Sequence, residues 1–415
     1  MDFQQESLDL HRRYKGVIGV RPKIPVKDHH ILRLLYLPSG EVTASRLIAQ
    51  DASQAYELTC KSNLVAVITD GSAVLGLGDI GARAALPVME GKCVLFQTFG
   101  GVEAYPVCIA TQDVEEFVSV VKALAPSFGG INLEDISAPR CFEIEKRLSE
   151  LLDIPVFHDD QHGTAVVVLA ALINALKVVG KPMEQIKVVV SGAGAAAIAT
   201  TRILLAAGAH DVVLCDRHGA IYRGRKKGMN PIKEEMARIT NPREIKGAMA
   251  QVLQGADVFL GLSAPGVINQ DMIRSMAQDP IVFAMANPIP EIMPQEAMAA
   301  GARVVATGRS DFPNQVNNCL GFPGIFRGAL DVMATTINDA MKLAAANALA
   351  QAVPEAALGP DFIIPEAMNL HVPPLVAEAV ARAALETGVA RKQVDPELIR
   401  RRTHKYLLEG GVLAE

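Results

Sequence analysis

Short apolar runs recur along the first 160 residues, several ending at a glycine or a carboxylate. Residues 64–69 form such a run and lead into a glycine-rich stretch at 70–81. Further strand-like runs cover 93–96, 107–110, 129–133 and 156–157, while 114–124 and 141–152 carry apolar positions at helical spacing. Strands alternating with helices predict an α/β layer with a parallel sheet. An apolar helix over roughly 163–179 leads into a second alternating region. There, strands are expected at 187–190, 212–215, 258–261, 281–284 and 304–306, with helices over 198–207 and 329–349. Helical patterns at 373–384 and 396–408 close the chain and could pack on either region.

The length of 415 residues exceeds what one core usually serves, so two domains are expected, with a boundary near residue 160. The net charge of -5 and the lack of a strongly basic stretch argue against a nucleic-acid surface. The short run Arg223, Arg225, Lys226, Lys227 reads as a solvated loop. The six cysteines form no CxxC pair, which suits reduced thiols in the cytoplasm and excludes a disulfide framework or zinc site. Residues 1–10 lack the basic-then-apolar order of a signal peptide. The longest apolar stretch, 164–179, is broken by Asn174 and Lys177 and predicts a buried helix, with no membrane partner. A homodimer is the expected state for a soluble chain of this kind.

Candidate chemistry begins at Gly192, Gly194 and Ala197, a GxGxxA pattern between a strand and a helix. The first glycine permits a tight turn and the second lets the backbone approach a pyrophosphate. The small third residue allows close packing of helix on strand. Asp216 ends the next strand, where a carboxylate can accept from the adenosine ribose hydroxyls. The pattern also serves simple close packing, but its strand–helix setting and Asp216 favour a dinucleotide. Asp216 favours NAD. Arg217, His218 and Arg223 nearby could accommodate the 2′-phosphate of NADP.

Two acidic pairs, Glu134-Asp135 and Asp159-Asp160, follow strand-like runs, at the ends where open α/β sheets bind ligands. Four carboxylates converging from separate loops would suit Mg²⁺ or Mn²⁺. The alternative is helix capping, by Asp135 for the helix after it and by Asp160 for a helix starting near Gly163. Duplication of the pair favours the metal. His158 and His162 read as loop or supporting residues.

A family resemblance rests on long motifs in order along the chain. They include Val67-Ile68-Thr69-Asp70-Gly71 with Leu75-Gly76-Leu77-Gly78-Asp79-Ile80-Gly81, Met89-Glu90-Gly91-Lys92, and Ile131-Asn132-Leu133-Glu134-Asp135. Phe157-His158-Asp159-Asp160-Gln161-His162-Gly163-Thr164, Ala286-Asn287-Pro288, the run from Thr307 to Gln315, Asn317-Asn318 and Phe322-Pro323-Gly324 continue it. The sequence resembles the malic enzymes, in their short bacterial form. The resemblance implies an N-terminal substrate and metal domain over 1–160, a Rossmann-type NAD(P)-binding domain over 161–385 and a C-terminal helical tail over 386–415. It implies oxidative decarboxylation of (S)-malate to pyruvate with a divalent metal. Glu134, Asp135 and Asp160 would ligate the metal, Lys92 would be the general base supported by Asp159, and Tyr36 the general acid. Asn287 and Asn318 would contact substrate, with Asn317 close by and Asn287 also beside the cofactor.

The reaction itself needs the same parts. Oxidation at C2 requires a base for the hydroxyl proton, and decarboxylation requires stabilised enolate charge and an acid at C3. A lysine base needs its pKa lowered by burial or a neighbouring cation. Taken without the family, Lys92 reads as a solvated strand end. The chain departs from the family after Tyr36, where Leu37-Pro38-Ser39-Gly40-Glu41 replaces the usual Thr-Pro-Gly run and shifts the glycine. Ser72 and Ala73 stand where larger relatives place a malate-gripping arginine. Competing readings are a malolactic-type lyase, which would release lactate without net reduced cofactor, and a regulatory dinucleotide binder with lapsed catalysis. An amino-acid dehydrogenase shares the two-domain plan but needs no carboxylate cluster.

Overall fold

The computed structural model describes residues 3–36 and 41–409. Two parallel-strand layers organise it. The first sheet has the order β2-β1-β3-β4, with β1 Leu64–Thr69, β2 Glu103–Cys108, β3 Gly130–Leu133 and β4 Val156–His158, all parallel. The second has the order β10-β9-β8-β5-β6-β7. Its strands are β5 Lys187–Ser191, β6 Asp211–Asp216, β7 Gly219–Ala220, β8 Val258–Gly261, β9 Ile281–Ala284 and β10 Val304–Thr307. Only β7 runs antiparallel, as a short edge strand on β6. The strands are nearly all-apolar runs because helices cover both faces of such sheets.

The helix Asp159–Val179 joins the two sheets and is apolar almost all round, which a helix tolerates only when buried. It is the one helix among the described residues long and apolar enough to cross a membrane, and two thirds of its apolar window is buried inside the protein. The chain returns to the first sheet through Phe322–Asp331, whose Phe322 and Phe326 meet Phe96 edge-on at 4.6 and 5.2 Å. Val372–Glu386 packs closely on it, with Gly324 and Gly328 at the contact. The C-terminal helices therefore sit against the first layer as well as the second.

Three elements differ from the sequence reading. Residues 93–96 are not a strand but part of the helix Ala82–Gly100. Its buried positions Ala85, Met89, Cys93, Phe96 and Phe99 recur every three or four residues, with Lys92 beside them, a period that a four-residue run cannot reveal. The helix expected to start near Gly163 starts at Asp159. The helix expected over 329–349 is two helices, Phe322–Asp331 and Asp339–Gln351, the second capped by Asn338 accepting from the Met341 N–H.

Candidate active site

The strand order of the first sheet reverses between β1 and β3, and the segments that follow the C-terminal ends of β1, β3 and β4 come together there. Glu134 and Asp135 leave β3 there, and Asp159 and Asp160 begin the helix after β4. Lys92 enters from Ala82–Gly100. Its Nζ lies 2.9 Å from Glu134 Oε1 and is hydrogen-bonded to Asp159 Oδ2. Asn318 donates to the same Asp159 oxygen. Asn132 Nδ2 donates to Glu134 Oε2 at 2.9 Å, and the Asp135 N–H donates to Asp160 Oδ2 at 2.8 Å. The Lys92 ammonium also lies 4.2 Å from the Phe322 ring centre, a cation–π contact that closes its apolar side.

The capping alternative for the acidic pairs fails. The helix after Asp135 starts at Arg140 with Pro139 before it, and Asp160 lies inside a helix rather than ahead of it. Asp135 instead holds a left-handed backbone, φ 54°, that few non-glycine residues adopt. Gly163 faces back onto Asp159, where a Cβ would overlap Oδ1. The glycine thus makes room for the carboxylate one turn earlier.

Burial pushes the Asp159 carboxyl up to about 6 and Glu134 up to about 7, against the pull of Lys92. Burial, then Asp160 and Glu134, pushes Asp135 up to about 8. Burial alone would lower Lys92, but Asp159 and Glu134 beside it outweigh that and raise it. Four acidic groups share one lysine, so the cluster is short of positive charge. Of nine buried side-chain polar atoms without a partner among the described residues, six lie on Asn132, Asp135, His158, Asp159 and Gln161. Native interiors seldom leave such atoms unpaired, so their concentration marks a place built to receive a ligand. Among the described residues no three acidic, histidine or cysteine side chains stand as a finished cation cage. The donor set nonetheless fits a hard divalent ion: oxygen ligands, excess negative charge and the unpartnered Asp135 Oδ2.

Two supports were not visible in the sequence reading. Glu145 accepts from the His158 N–H at 2.9 Å and lies 3.0 Å from His162 Nε2. Burial would raise Glu145, but His162 and then His158 hold it down at about 2. It pins the strand end from which Asp159 and Asp160 project. Its signal was a charge on the apolar stripe Cys141, Ile144, Leu148. Arg140 donates to Asp70 and Ser72 at 2.8 and 2.9 Å, fastening the start of the glycine-rich 70–81 loop beside β3. That arginine is spent on Asp70.

The remaining predicted residues are placed as follows. Tyr36 ends the helix His29–Leu35 and is 73% exposed; no side-chain hydrogen bond joins it to the cluster among the described residues. The altered loop at 37–40 lies outside the described residues. Asn317 Oδ1 accepts from the Cys319 N–H at 2.9 Å, which leaves its amide nitrogen free for other contacts. Asn287 is half-buried, its side chain against Gly308.

The strand order of the second sheet reverses at β5, between β6 and β8. Gly192 follows β5 with φ 121°, and a Cβ there would overlap the Leu262 carbonyl. Gly194 precedes the helix Ala195–Ala206 with open space in front of it, and Ala197 is fully buried. This is the geometry expected of a pyrophosphate cradle at a helix N-terminus. Asp216 departs from expectation. Arg225 grips it with both terminal nitrogens, at 2.8 and 2.5 Å, Lys233 Nζ lies at 2.7 Å, and the His218 N–H donates at 2.8 Å. These partners hold its carboxyl well below the usual range although burial opposes them. A carboxylate has about four acceptor sites, so Asp216 has none spare for ribose. Arg225, read as part of a solvated loop, is buried.

The malic enzyme N-terminal domain family matches residues 38–149, and the malic enzyme NAD-binding domain family matches residues 161–385. A bifunctional malic/malolactic enzyme of Bacillus subtilis is 54% identical over 410 residues, covering 99% of this chain and all of that protein. An NAD-dependent malic enzyme of Geobacillus stearothermophilus is 59% identical over 381 residues, covering 92% of this chain and 79% of that one. The crystal structure of a malic enzyme from Pyrococcus horikoshii superposes with a TM-score of 0.93 at 48% identity, over 98% of this chain and 96% of that one.

Proposed function

Because the chain belongs to the malic enzyme family, we propose that Lys92 and the carboxylates around it carry that chemistry here. The activity is oxidative decarboxylation of (S)-malate to pyruvate and CO₂ with reduction of NAD(P)⁺. The observation that supports this site assignment is the buried lysine set between Glu134 and Asp159 at the mouth of the first sheet. Burial would lower Lys92, but Asp159 and Glu134 raise it while their charge is unanswered. A divalent cation on the acidic cluster would offset that charge and let burial lower the lysine, so that Nζ could take the proton of the C2 hydroxyl. Asp159, held by Asn318, fixes the direction of that nitrogen. Glu134, Asp135 and Asp160 would hold a divalent cation, Mg²⁺ or Mn²⁺, which would supply positive charge to offset that developing on the C2 oxygen. Asn287, Asn317 and Asn318 orient the substrate, and Tyr36 returns a proton to C3. Purified protein given malate, Mn²⁺ and either NAD⁺ or NADP⁺ is expected to accumulate reduced cofactor and pyruvate in equal amounts. Absence of cofactor reduction with both dinucleotides would overturn the reading.

The likeness to a bifunctional malic/malolactic enzyme supports a second outcome at the same site, in which the hydride returns to pyruvate. Lactate formed without net reduced cofactor would be its sign.

Cofactor choice turns on Asp216. Its charge is answered by Arg225 and Lys233, so it no longer repels a 2′-phosphate, and both NAD and NADP are accepted. The Lys233→Ala variant leaves Asp216 answered by Arg225 alone and is expected to lower kcat/KM for NADP⁺ about 10-fold, because part of the carboxylate's charge again faces the 2′-phosphate. The value for NAD⁺ should change far less. Equal losses with both cofactors would count against Lys233 as the discriminating group.

The arm before residue 36 buries almost nothing, and it exposes Phe3, Tyr14, Val20 and Leu34 along with Tyr36. Such an apolar surface supports a homodimer in which the arm, and Tyr36 with it, is covered by a second copy.

A further inference from the structure

The helices Val372–Glu386 and Pro396–Glu409 meet in a cleft of about 370 Å³ that shares no residue with the site above. Its floor is apolar, made by buried Pro374 and half-buried Leu375. Its rim is cationic. Arg401 and Lys405 stand exposed, and the His371 and His404 rings lie 5.4 Å apart across it. Arg400 lines the cleft too but is answered by Glu378 at 3.1 Å and Glu397 at 3.8 Å, and Glu409 is the one acidic lining residue among the described residues. No side-chain hydrogen bond or ion pair occupies Arg401, Lys405, His371 or His404 among the described residues. Unspent cations over an apolar floor, on a chain of net charge -5, are poorly explained by solubility.

The same helix is tied to the catalytic layer. The Tyr406 hydroxyl accepts from Gln97 Nε2 at 2.6 Å, and Gln97 lies five residues beyond Lys92 on Ala82–Gly100. A ligand gripped by Arg401, His404 and Lys405 would therefore bear on the helix that aims the lysine.

We propose that this cleft binds a small phosphorylated organic anion, and that its occupancy alters turnover through the Tyr406–Gln97 bond. The phosphate meets Arg401, Lys405 and the imidazoles, and the organic part lies on Pro374 and Leu375. The binding half is independent of the malic enzyme reading; the turnover half rests on it.

Phenyl phosphate is a suitable probe, titrated by calorimetry into protein saturated with NAD⁺ so that the dinucleotide cradle is filled. Saturable binding is expected, about ten-fold tighter than inorganic phosphate because the ring adds apolar burial. The Arg401→Ala/Lys405→Ala variant should bind at least about ten-fold more weakly, having lost two charge-assisted contacts. The ¹³C-labelled imidazole signals of His371 and His404, assigned by substitution, should move with the titration. In the malate assay, saturating probe should change kcat or KM about five-fold or more, the low end of the usual coupling between sites. Tyr406→Phe should keep the binding and lose that change. No saturable binding, or equal binding by the double variant, overturns the site. Binding with turnover unchanged in the wild-type chain, or changed equally in Tyr406→Phe, overturns the coupling. If basal malate turnover is absent altogether, the catalytic reading fails while the calorimetry still decides the site.

Discussion

Lys92→Ala is expected to lower kcat by about 10²- to 10⁴-fold, the usual worth of a positioned general base. The lysine is buried, its nitrogen is shared between Glu134 and Asp159, and no other lysine or arginine is bonded to either carboxylate among the described residues. Removing it also strips a buried cation from acidic partners, so circular dichroism and thermal melting should accompany the kinetics. Lys92→Arg separates the two roles. Arginine keeps a positive charge among the carboxylates but does not give up its proton in a protein, so it cannot alternate between acid and base. Its kcat should stay low while folding is closer to wild type. Full activity in either variant would remove Lys92 from the mechanism. Mixing Lys92→Ala with Tyr36→Phe subunits adds a test of the exposed tyrosine. If Tyr36 serves the partner's site, half the dimers are mixed and one of their two sites is intact, so about a quarter of wild-type activity should return. If it serves its own chain, none should.

Mn²⁺ is expected to raise the melting temperature of the wild-type protein, and Asp135→Asn combined with Asp160→Asn should abolish the rise. A ligand at a hundred times its Kd stabilises the folded state by about 2.7 kcal/mol, enough for a visible shift. The cause lies in the charge count. Glu134, Asp135, Asp159 and Asp160 face one lysine, and burial drives the first three up to about 7, 8 and 6. A dication relieves that deficit, and neutral amides no longer create it. The metal-free variant should for the same reason melt no lower than the metal-free wild type. An equal Mn²⁺ shift in the double variant would show that the ion binds elsewhere.

Much of the fold was legible because parallel strands buried on both faces are written as continuous apolar runs. Residues 258–261 and 281–284 match their strands, and 114–124 matches its helix. The error at 93–96 arose where a short apolar run fits either structure, and the helical period emerges only when Ala85, Met89 and Phe99 are read with it. The residues of the candidate site were named through motifs. Its supports were not, since Glu145 and Arg225 gain their roles from partners on other elements: His158 and His162, and Asp216.

Sequence alone determined which residue types are present and where the chain turns: the glycine cradle after β5, the two carboxylate pairs at strand ends, and the lysine within an apolar stretch. These are local properties, set by backbone permissiveness and apolar periodicity. Tertiary structure decided what those groups do to one another. It brought Lys92 from a helix into the gap between Glu134 and Asp159 and spent Asp216 on two cations. Charge, burial and hydrogen bonding act through space over a few ångströms, between residues that can be near or far along the chain, and no spacing along the chain encodes that distance.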